Sequence, residues 1–213
     1  ILDHCVRARR LGITGMKALI LYPMNALASD QAQRIADAII TDERLATLTA
    51  AIYTGESADG RTTVTKDGLI TDRAIIRDTP PDILLTNYKM LDQLLLRPED
   101  QNLWQASADS LTYLVLDEFH TYDGAQGTDV AMLIRRLGLA LAAHRDPHSE
   151  ATAYPLGDVT PVATSATLGD GADPATMLDF ASTVFGTPFP PEAVITETRQ
   201  SRDEWTAEIT AGY

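Results

Sequence analysis

The chain has 213 residues, 45% hydrophobic and 22% charged, which is ordinary for a folded domain and excludes a disordered or coiled-coil chain. Its longest apolar run is interrupted by Arg135 and Arg136, so no run reaches the roughly 18 residues of a membrane-spanning helix. The net charge of −13 argues against a strongly basic nucleic-acid binder. However, 11 of the 30 acidic residues and only 3 of the 17 basic ones lie from Arg145 onward. The net charge therefore says little about any one face of the first two thirds of the chain.

Cysteine usage and the first residues bear on the compartment. The single cysteine, Cys5, can form neither an internal disulfide nor a cysteine-based zinc site, which suits a reducing compartment. The chain begins Ile1-Leu2-Asp3-His4, without an initiator methionine or the basic-then-apolar pattern of a signal peptide. We therefore expect a cytoplasmic protein with no membrane partner, whose first residue is a cut end.

The first half of the chain predicts alternating helices and strands. A helix over residues 1–11 ends at Gly12, which readily adopts the left-handed cap conformation. The apolar run 17–22 predicts a buried strand stopped by Pro23, and Asn25 is the predicted N-cap of a helix extending to about residue 40. Next come a strand over 49–53, a polar loop over 55–68 with room for a hairpin at 61–65, a helix over 71–77, a strand over 82–86 and a helix over 87–96.

The second half continues this alternation. The clearest strand, 111–116, runs directly into Asp117-Glu118-Phe119-His120. A glycine-bounded turn at 124–127 precedes a helix with one apolar face, formed by Val130, Leu133, Ile134, Leu137 and Leu141. The remaining predicted elements are a loop over 145–159, a strand over 161–165, a helix over 174–184 and a strand over 193–196. The alternation predicts an α/β fold with a mostly parallel sheet covered on both faces.

In such sheets ligands bind outside the carboxyl ends of the strands. The residues at those ends are Tyr22-Pro23, Thr86-Asn87, Asp117-Glu118 and Ser165-Ala166-Thr167. An aspartate at a strand tip can hold Mg²⁺ through water while the adjacent glutamate faces an attacking water. Carboxylates are also common at ordinary helix N-termini, where they complement the helix dipole.

The other strand ends also have two interpretations. Thr86, Asn87 and Ser165 have the residue types of ordinary helix N-caps. Pro23 stops a strand, and the helix that follows has free N–H groups that could face a phosphate or simply end a turn. Each segment taken alone leaves the choice open.

Five segments occur in one order: Tyr-Pro-Met-Asn-Ala-Leu-Ala-Ser-Asp-Gln at 22–31, Tyr-Thr-Gly-Glu at 53–56, Thr-Pro-Pro-Asp-Ile-Leu-Leu-Thr-Asn at 79–87, Asp-Glu-Phe-His at 117–120 and Thr-Ser-Ala-Thr at 164–167. This ordered set resembles the first RecA-like domain of superfamily 2 DEAD/DEAH-box helicases, in particular large bacterial helicases of which some are encoded in phage-defence islands. The resemblance extends to about Gly186.

The resemblance implies a three-layer α/β RecA-like domain of the P-loop NTPase type. Residues 1–190 would form this ATP-binding domain, and residues 191–213 would begin a linker towards a second RecA-like domain. The implied function is ATP-dependent translocation along nucleic acid, with or without strand separation, using ATP and Mg²⁺. The expected partners are DNA rather than RNA, and other defence or repair subunits, although no residue decides between DNA and RNA.

The resemblance also implies roles for individual residues. Asp117 would support Mg²⁺ through water, Glu118 would orient or activate the hydrolytic water, and His120 would couple the ATP site to the segment Ser165, Ala166 and Thr167. The expected contacts to the sugar-phosphate backbone of a nucleic-acid strand are Pro23, Asn25, Ala26, Gly55, Thr86 and Asn87. Arg34, Lys89 and Arg97 are candidate auxiliary contacts. Phe119 departs from the small or aliphatic residue usual at its position.

The sequence also departs from the family in its phosphate loop. No segment matches Gly-x-x-x-x-Gly-Lys-Ser/Thr, and Gly15-Met16-Lys17-Ala18 lacks the leading glycine and the hydroxyl. We therefore expect an N-terminally incomplete domain that starts just after this loop and hydrolyses ATP negligibly by itself. Two alternatives stay open, a non-catalytic helicase-like scaffold of a defence or repair complex and an unrelated α/β nucleotide-binding or hydrolase domain. A wide separation of Glu118 and Ser165 would favour the latter.

Overall fold

The computed structural model describes residues 1–55, 60–145, 154–165 and 174–195. Its strands are β1 (Ala18–Tyr22), β2 (Ala50–Tyr53), β3 (Ile83–Asn87), β4 (Tyr113–Leu116) and β5 (Thr160–Ala163). Its helices are α1 (Leu2–Arg10), α2 (Asn25–Thr41), α3 (Arg73–Asp78), α4 (Tyr88–Leu96), α5 (Gln101–Gln105), α6 (Gly124–Ala142) and α7 (Pro174–Phe185). Each predicted strand and helix up to residue 184 is therefore present, within a few residues of its predicted bounds.

The five strands form one parallel sheet in the order β2-β3-β1-β4-β5. The register places Ala18 beside Ile83 on one side and beside Tyr113 on the other, so the strands begin and end nearly level. All five residues of β1 are buried, as expected of a strand in the middle of a parallel sheet covered on both faces. The carboxyl ends of the strands therefore meet along one edge of the sheet.

Alternate strand residues face two apolar layers. One layer joins Ile20 and Leu85 to α1 and α2. There, Ala28, Ala32 and Ala36 are almost fully buried, and their small side chains let α2 approach the sheet closely. The other layer joins strand residues such as Leu19 and Leu114 to α4, α5, α6 and α7. The fold is a three-layer α/β arrangement, as predicted.

The structure corrects several details of the prediction. Asn25 was the predicted N-cap of α2, but it is the first helical residue; Met24 takes the cap position and supplies no side-chain hydrogen bond. The segment between α4 and β4 contains the unpredicted helix α5 and the 3₁₀ turn Pro98–Asp100. Ala193, predicted to begin a strand, instead ends the 3₁₀ turn Pro191–Ala193, whose proline has no N–H to donate to a strand ladder.

Some predictions fall outside the described residues, namely Glu56, Ala166, Thr167 and the segment 196–213. The division into a domain ending at residue 190 and a linker stays a prediction. Within the part of the chain that the structure describes, no helix combines the length and the apolar character needed to cross a membrane.

Candidate active site

Asp117 and Thr164 directly follow the neighbouring strands β4 and β5 and lie side by side at the carboxyl edge of the sheet. The backbone N–H of Asp117 donates to the Leu21 carbonyl at 2.9 Å, and that of Thr164 donates to the Leu116 carbonyl at 3.0 Å. These bonds extend the sheet ladder by one residue on both strands. The Thr164 hydroxyl also donates to Asp117 Oδ1.

Glu118 turns the chain away from β4. With φ 50° and ψ 47°, it is the single non-glycine residue with positive φ in the described ranges. Its carbonyl accepts hydrogen bonds from the backbone N–H and the hydroxyl of Thr121, both at 2.8 Å. A left-handed conformation costs a residue with a side chain about 1–2 kcal/mol, so these contacts hold Glu118 in an unfavourable geometry.

The buried ring of Phe119 anchors the same turn to the core. The ring stacks on Phe185 with 5.9 Å between centroids and lies 4.9 Å from Phe180, so it packs against α7. The Phe119 N–H donates to the Thr164 carbonyl at 2.8 Å. The residue that departs from the family pattern therefore joins the acidic turn to α7 through aromatic contacts.

His120 connects the acidic turn to the residue after Thr164. Its Nδ1 lies 3.1 Å from Ser165 Oγ and 3.5 Å from Glu118 Oε2. Glu118, His120 and Ser165 are thus gathered within hydrogen-bonding reach or slightly beyond, as expected of one site. The wide separation of Glu118 and Ser165 that would favour an unrelated α/β domain is not observed.

Two tyrosines flank Asp117. Burial, and secondarily the nearby Asp117 carboxylate, raise the pKa of both Tyr22 and Tyr122. Both phenols therefore stay protonated at neutral pH. The Tyr122 hydroxyl lies 3.5 Å from the Leu21 carbonyl, the same group that accepts from the Asp117 N–H.

The donor set at this edge fits magnesium rather than a softer metal. Asp117 and Glu118 supply carboxylate oxygens, the hard ligands that Mg²⁺ prefers. Among the described residues, no group of three or more His, Cys, Asp or Glu side chains forms a cage for a metal ion. Mg²⁺ usually keeps several waters and binds one or two carboxylates plus substrate phosphates, so the two adjacent carboxylates of this turn match its ligand needs.

The N-terminus of α2 lies at the same edge of the sheet. Met24, in the cap position, supplies no side-chain hydrogen bond, and no acidic residue lies in the first turn of α2, so no carboxylate of that turn offsets the positive end of the helix dipole. Ala26 is exposed there, and Pro23 is half-buried. This arrangement can accept an anion such as a phosphate group.

Asn87 ties this helix end to α4. Its Nδ2 donates to Asn25 Oδ1 at 2.6 Å, and its Oδ1 accepts from the Met90 N–H at 2.7 Å as the N-cap of α4. Thr86 is fully buried, and its hydroxyl donates to the Tyr53 carbonyl at 2.6 Å. Gly55 is exposed just beyond β2. The described strand-end residues predicted for nucleic-acid binding thus share one edge, although Thr86 turns its hydroxyl inward.

Sequence reasoning missed two neighbours of these residues. Thr164 belonged to a recognised segment but had no assigned role, because no local sequence pattern gives the strand register that places it level with Asp117. Arg73 lies 5.2 Å from the Tyr53 ring centre and donates to the Thr54 carbonyl at 3.4 Å, next to Gly55. No local pattern marks Arg73, because it reaches β2 from a separate helix.

Comparison with curated proteins shows relatives of much greater length. Over 64 residues the chain is 47% identical to the Druantia protein DruE of Escherichia coli (strain UMEA 4076-1), covering 27% of this chain and 4% of DruE. Over 122 residues it is 34% identical to the uncharacterized ATP-dependent helicase YprA of Bacillus subtilis (strain 168), covering 57% of this chain and 14% of YprA. The chain therefore spans only a small part of these relatives.

Comparison with solved structures supports the fold. The crystal structure of the DUF1998 helicase MrfA bound to DNA matches with a TM-score of 0.57 and 21% sequence identity, covering 88% of this chain and 26% of MrfA. This likeness shows the RecA-like fold that the motifs predict. The model of the DEAD/DEAH box helicase family matches residues 4–173, and this match over most of the sequence shows that the chain belongs to that family.

Proposed function

We propose that this chain supplies the hydrolysis motif and one wall of the single-strand groove of an ATP-dependent nucleic-acid helicase or translocase in the cytoplasm. The observation that carries the proposal is the arrangement at the carboxyl edge of the sheet. There, His120 Nδ1 lies 3.1 Å from Ser165 Oγ and 3.5 Å from Glu118 Oε2, and Asp117 directly precedes Glu118 in the turn after β4. Membership of the DEAD/DEAH box helicase family supports the same conclusion.

In this proposal the acidic turn handles the nucleotide. Bound Mg²⁺ would neutralise charge on the ATP phosphates, and Asp117 would hold it, mostly through water. Glu118 would accept a hydrogen bond from the attacking water and so orient that water. The left-handed backbone of Glu118 sets the direction in which its side chain leaves the main chain. His120 would couple movements of the Glu118 side chain to Ser165, because its Nδ1 contacts both side chains.

The neighbouring surface would hold the nucleic-acid strand. Phosphates would bind the N-terminus of α2 at Ala26, with Pro23, Asn25 and Gly55 beside it. Thr86 would act indirectly, because its buried hydroxyl holds β3 against β2. Such contacts use backbone groups and carry no sequence information, so they suit a protein that moves along a strand. We favour DNA, which is bound in the MrfA structure.

The site needs two further parts. No segment of the sequence matches a phosphate loop, so another element must cradle the phosphates, and a second RecA-like domain must close over the nucleotide. The chain alone should therefore hydrolyse ATP negligibly. Turnover by the purified 213-residue chain that disappears in Glu118→Gln would contradict this expectation. The similarity to the Druantia protein DruE makes a defence complex the preferred setting of the whole protein.

The deciding experiment uses the full-length protein that contains this chain. Glu118→Gln should lower DNA-stimulated ATP turnover by about 10²-fold or more, since general base and orienting groups contribute about 10²–10⁴-fold. Binding of a labelled single strand should persist. Glu43→Gln, an exposed glutamate far from the carboxyl edge, is the matched control and should behave as wild type.

The alternative, a non-catalytic helicase-like scaffold, makes a different prediction. The full-length scaffold would bind partner proteins or DNA but show the same negligible turnover in the wild type, Glu118→Gln and Glu43→Gln. Measuring turnover with single-stranded DNA and with RNA also decides which nucleic acid stimulates the enzyme. The presence of both carboxylates, Asp117 and Glu118, in the turn after β4 favours the catalytic proposal.

A further inference from the structure

Thr164 is held in place by its backbone on both sides. Its N–H donates to the Leu116 carbonyl at 3.0 Å, and its carbonyl accepts from the Phe119 N–H at 2.8 Å. These two bonds attach it to the end of β4 and to the acidic turn at once. The residue therefore cannot move away from Asp117 without breaking the extended ladder.

The Thr164 hydroxyl then selects one orientation of the Asp117 carboxylate. The main chain of Asp117 is itself fixed by the 2.9 Å bond from its N–H to the Leu21 carbonyl, so only the side-chain torsions stay variable. The hydroxyl donates to Oδ1, one of the two carboxylate oxygens. Asp117 is half-buried and Thr164 is exposed, so without this bond the carboxylate would exchange among rotamers and water partners.

We propose that Thr164 is a positioning residue for Asp117, orienting its carboxylate before a hydrated magnesium ion binds. This inference rests on the proposed function, in which Asp117 supports the metal. Removal of an outer partner that orients a metal-binding carboxylate typically weakens metal binding by about 10–100-fold. A β-branched residue also suits the strand end, and its restricted χ1 limits the positions that the threonine hydroxyl can take.

The test measures metal binding directly, in the full-length protein, with Mn²⁺ as the probe. Electron paramagnetic resonance would follow free Mn²⁺ during titration in the presence of a non-hydrolysable ATP analogue. Thr164→Val replaces the hydroxyl by a methyl group of similar size and should weaken Mn²⁺ binding about 10-fold. Thr164→Ser keeps the hydroxyl and should stay within about 3-fold of wild type.

A second pair protects the test against effects on folding. Thr164→Ala and Thr164→Ser differ by one hydroxyl oxygen, so the difference between them isolates the hydrogen bond even if valine disturbs the strand end. Binding of the nucleotide without metal should be equal in all variants. The inference is overturned if Thr164→Val binds Mn²⁺ as wild type does, or if Thr164→Ser is as weak as Thr164→Ala.

Asp117→Asn separates this inference from the proposed function. Removing the carboxylate should weaken Mn²⁺ binding at least as much as Thr164→Val does. If Asp117→Asn binds Mn²⁺ as wild type does, the proposed metal role of Asp117 fails and the inference fails with it. If Asp117→Asn is weak and Thr164→Val is normal, only the role of Thr164 is wrong.

Discussion

Asp82 is the fully buried carboxylate at the end of the sheet opposite the candidate site. It accepts hydrogen bonds from the buried Lys17 ammonium at 2.9 Å, from Arg9 Nε at 2.8 Å and from the Thr49 N–H at 2.8 Å. Lys17 also donates to the carbonyls of Ile13 and Gly15. Every charge of this network is thus paired and hydrogen-bonded, which is the condition under which buried charges are tolerated.

Asp82→Asn should lower the free energy of unfolding by about 3–5 kcal/mol, because it leaves the buried Lys17 ammonium without a counterion. Urea denaturation checks this value. Asp3→Asn, which breaks only the exposed pair with Arg7, is the control and should leave the midpoint almost unchanged. The double variant Lys17→Met, Asp82→Leu should recover much of the loss. A midpoint for Asp82→Asn equal to that of the control would contradict the argument.

Cys5 offers a pH-dependent test at the same scale. Burial raises the pKa of its thiol from 9.0 to about 11. At neutral pH the thiol is therefore protonated and should react with a disulfide reagent only after the chain opens. Because the unfolded thiol ionises near pH 9, unfolding should become easier between pH 9 and 11. In denaturant titrations, Cys5→Ala should lose this fall in the free energy of unfolding between pH 9 and 11. The same fall in Cys5→Ala and in wild type would show that the thiol does not cause it.

At the scale of elements, α6 packs closely against the segment before β5. A Cβ atom added at Gly138 would lie 1.8 Å from the Pro155 carbonyl oxygen, a backbone atom that cannot rotate away. Alanine is about 1 kcal/mol better than glycine inside a helix, whereas overpacking costs about 1–3 kcal/mol. Gly138→Ala should therefore lower the Tm despite its helix propensity.

Gly55→Ala is the matched control for this prediction, since among the described residues its Cβ would meet only the Met90 methyl group, at an ordinary 3.6 Å. Thermal unfolding of the two variants should place Gly138→Ala clearly below wild type and Gly55→Ala close to it. An increase in Tm for Gly138→Ala would show that the backbone at Pro155 moves away from α6 at little cost in free energy.

Local patterns predicted most of the elements and the edge that carries the site. The apolar face of α6, including Val130 and Leu137, is buried as its spacing indicated. The patterns failed where distant residues decide the outcome. Asn25 was expected to cap α2, but its side chain accepts from Asn87, 62 positions away. Similarly, the bond from Thr164 to Asp117 depends on strand register, which no local pattern carries.

At the scale of the whole molecule, a net charge of −13 limits the kind of contact by which this chain would hold the nucleic-acid strand of the proposed function. Contacts from the neutral N–H groups of α2 do not neutralise a phosphate and so release no counterion from the nucleic acid. A cationic side chain that neutralises a phosphate does release one, and changes the slope of log affinity against log salt by about 0.7 for each phosphate of a single strand. The two kinds of contact are therefore distinguishable by their response to salt.

Ala26→Pro removes one N–H from the first turn of α2, where proline is tolerated. In the full-length protein it should weaken single-strand binding while leaving the slope of log Kd against log salt unchanged. Ala26→Gly keeps the N–H and is the control, and Lys89→Ala tests a cationic contact by a change in slope. Fluorescence anisotropy at several salt concentrations measures all three, and unaltered affinity in Ala26→Pro would rule out the N–H contact.

Under the proposed function, the left-handed backbone at Glu118 sets the stability of the fold against ATP turnover. Asparagine tolerates this conformation better than glutamate does and lacks the flexibility of glycine in the unfolded chain. In the full-length protein, Glu118→Asn should therefore raise the Tm while lowering ATP turnover by about 10²-fold or more, and Glu118→Gln should lower turnover similarly with no gain in Tm. Calorimetry of the two variants compares them directly. A higher Tm in the inactive asparagine variant would mean that the strained glutamate is kept for its chemistry. The protein would then be less stable than its fold allows.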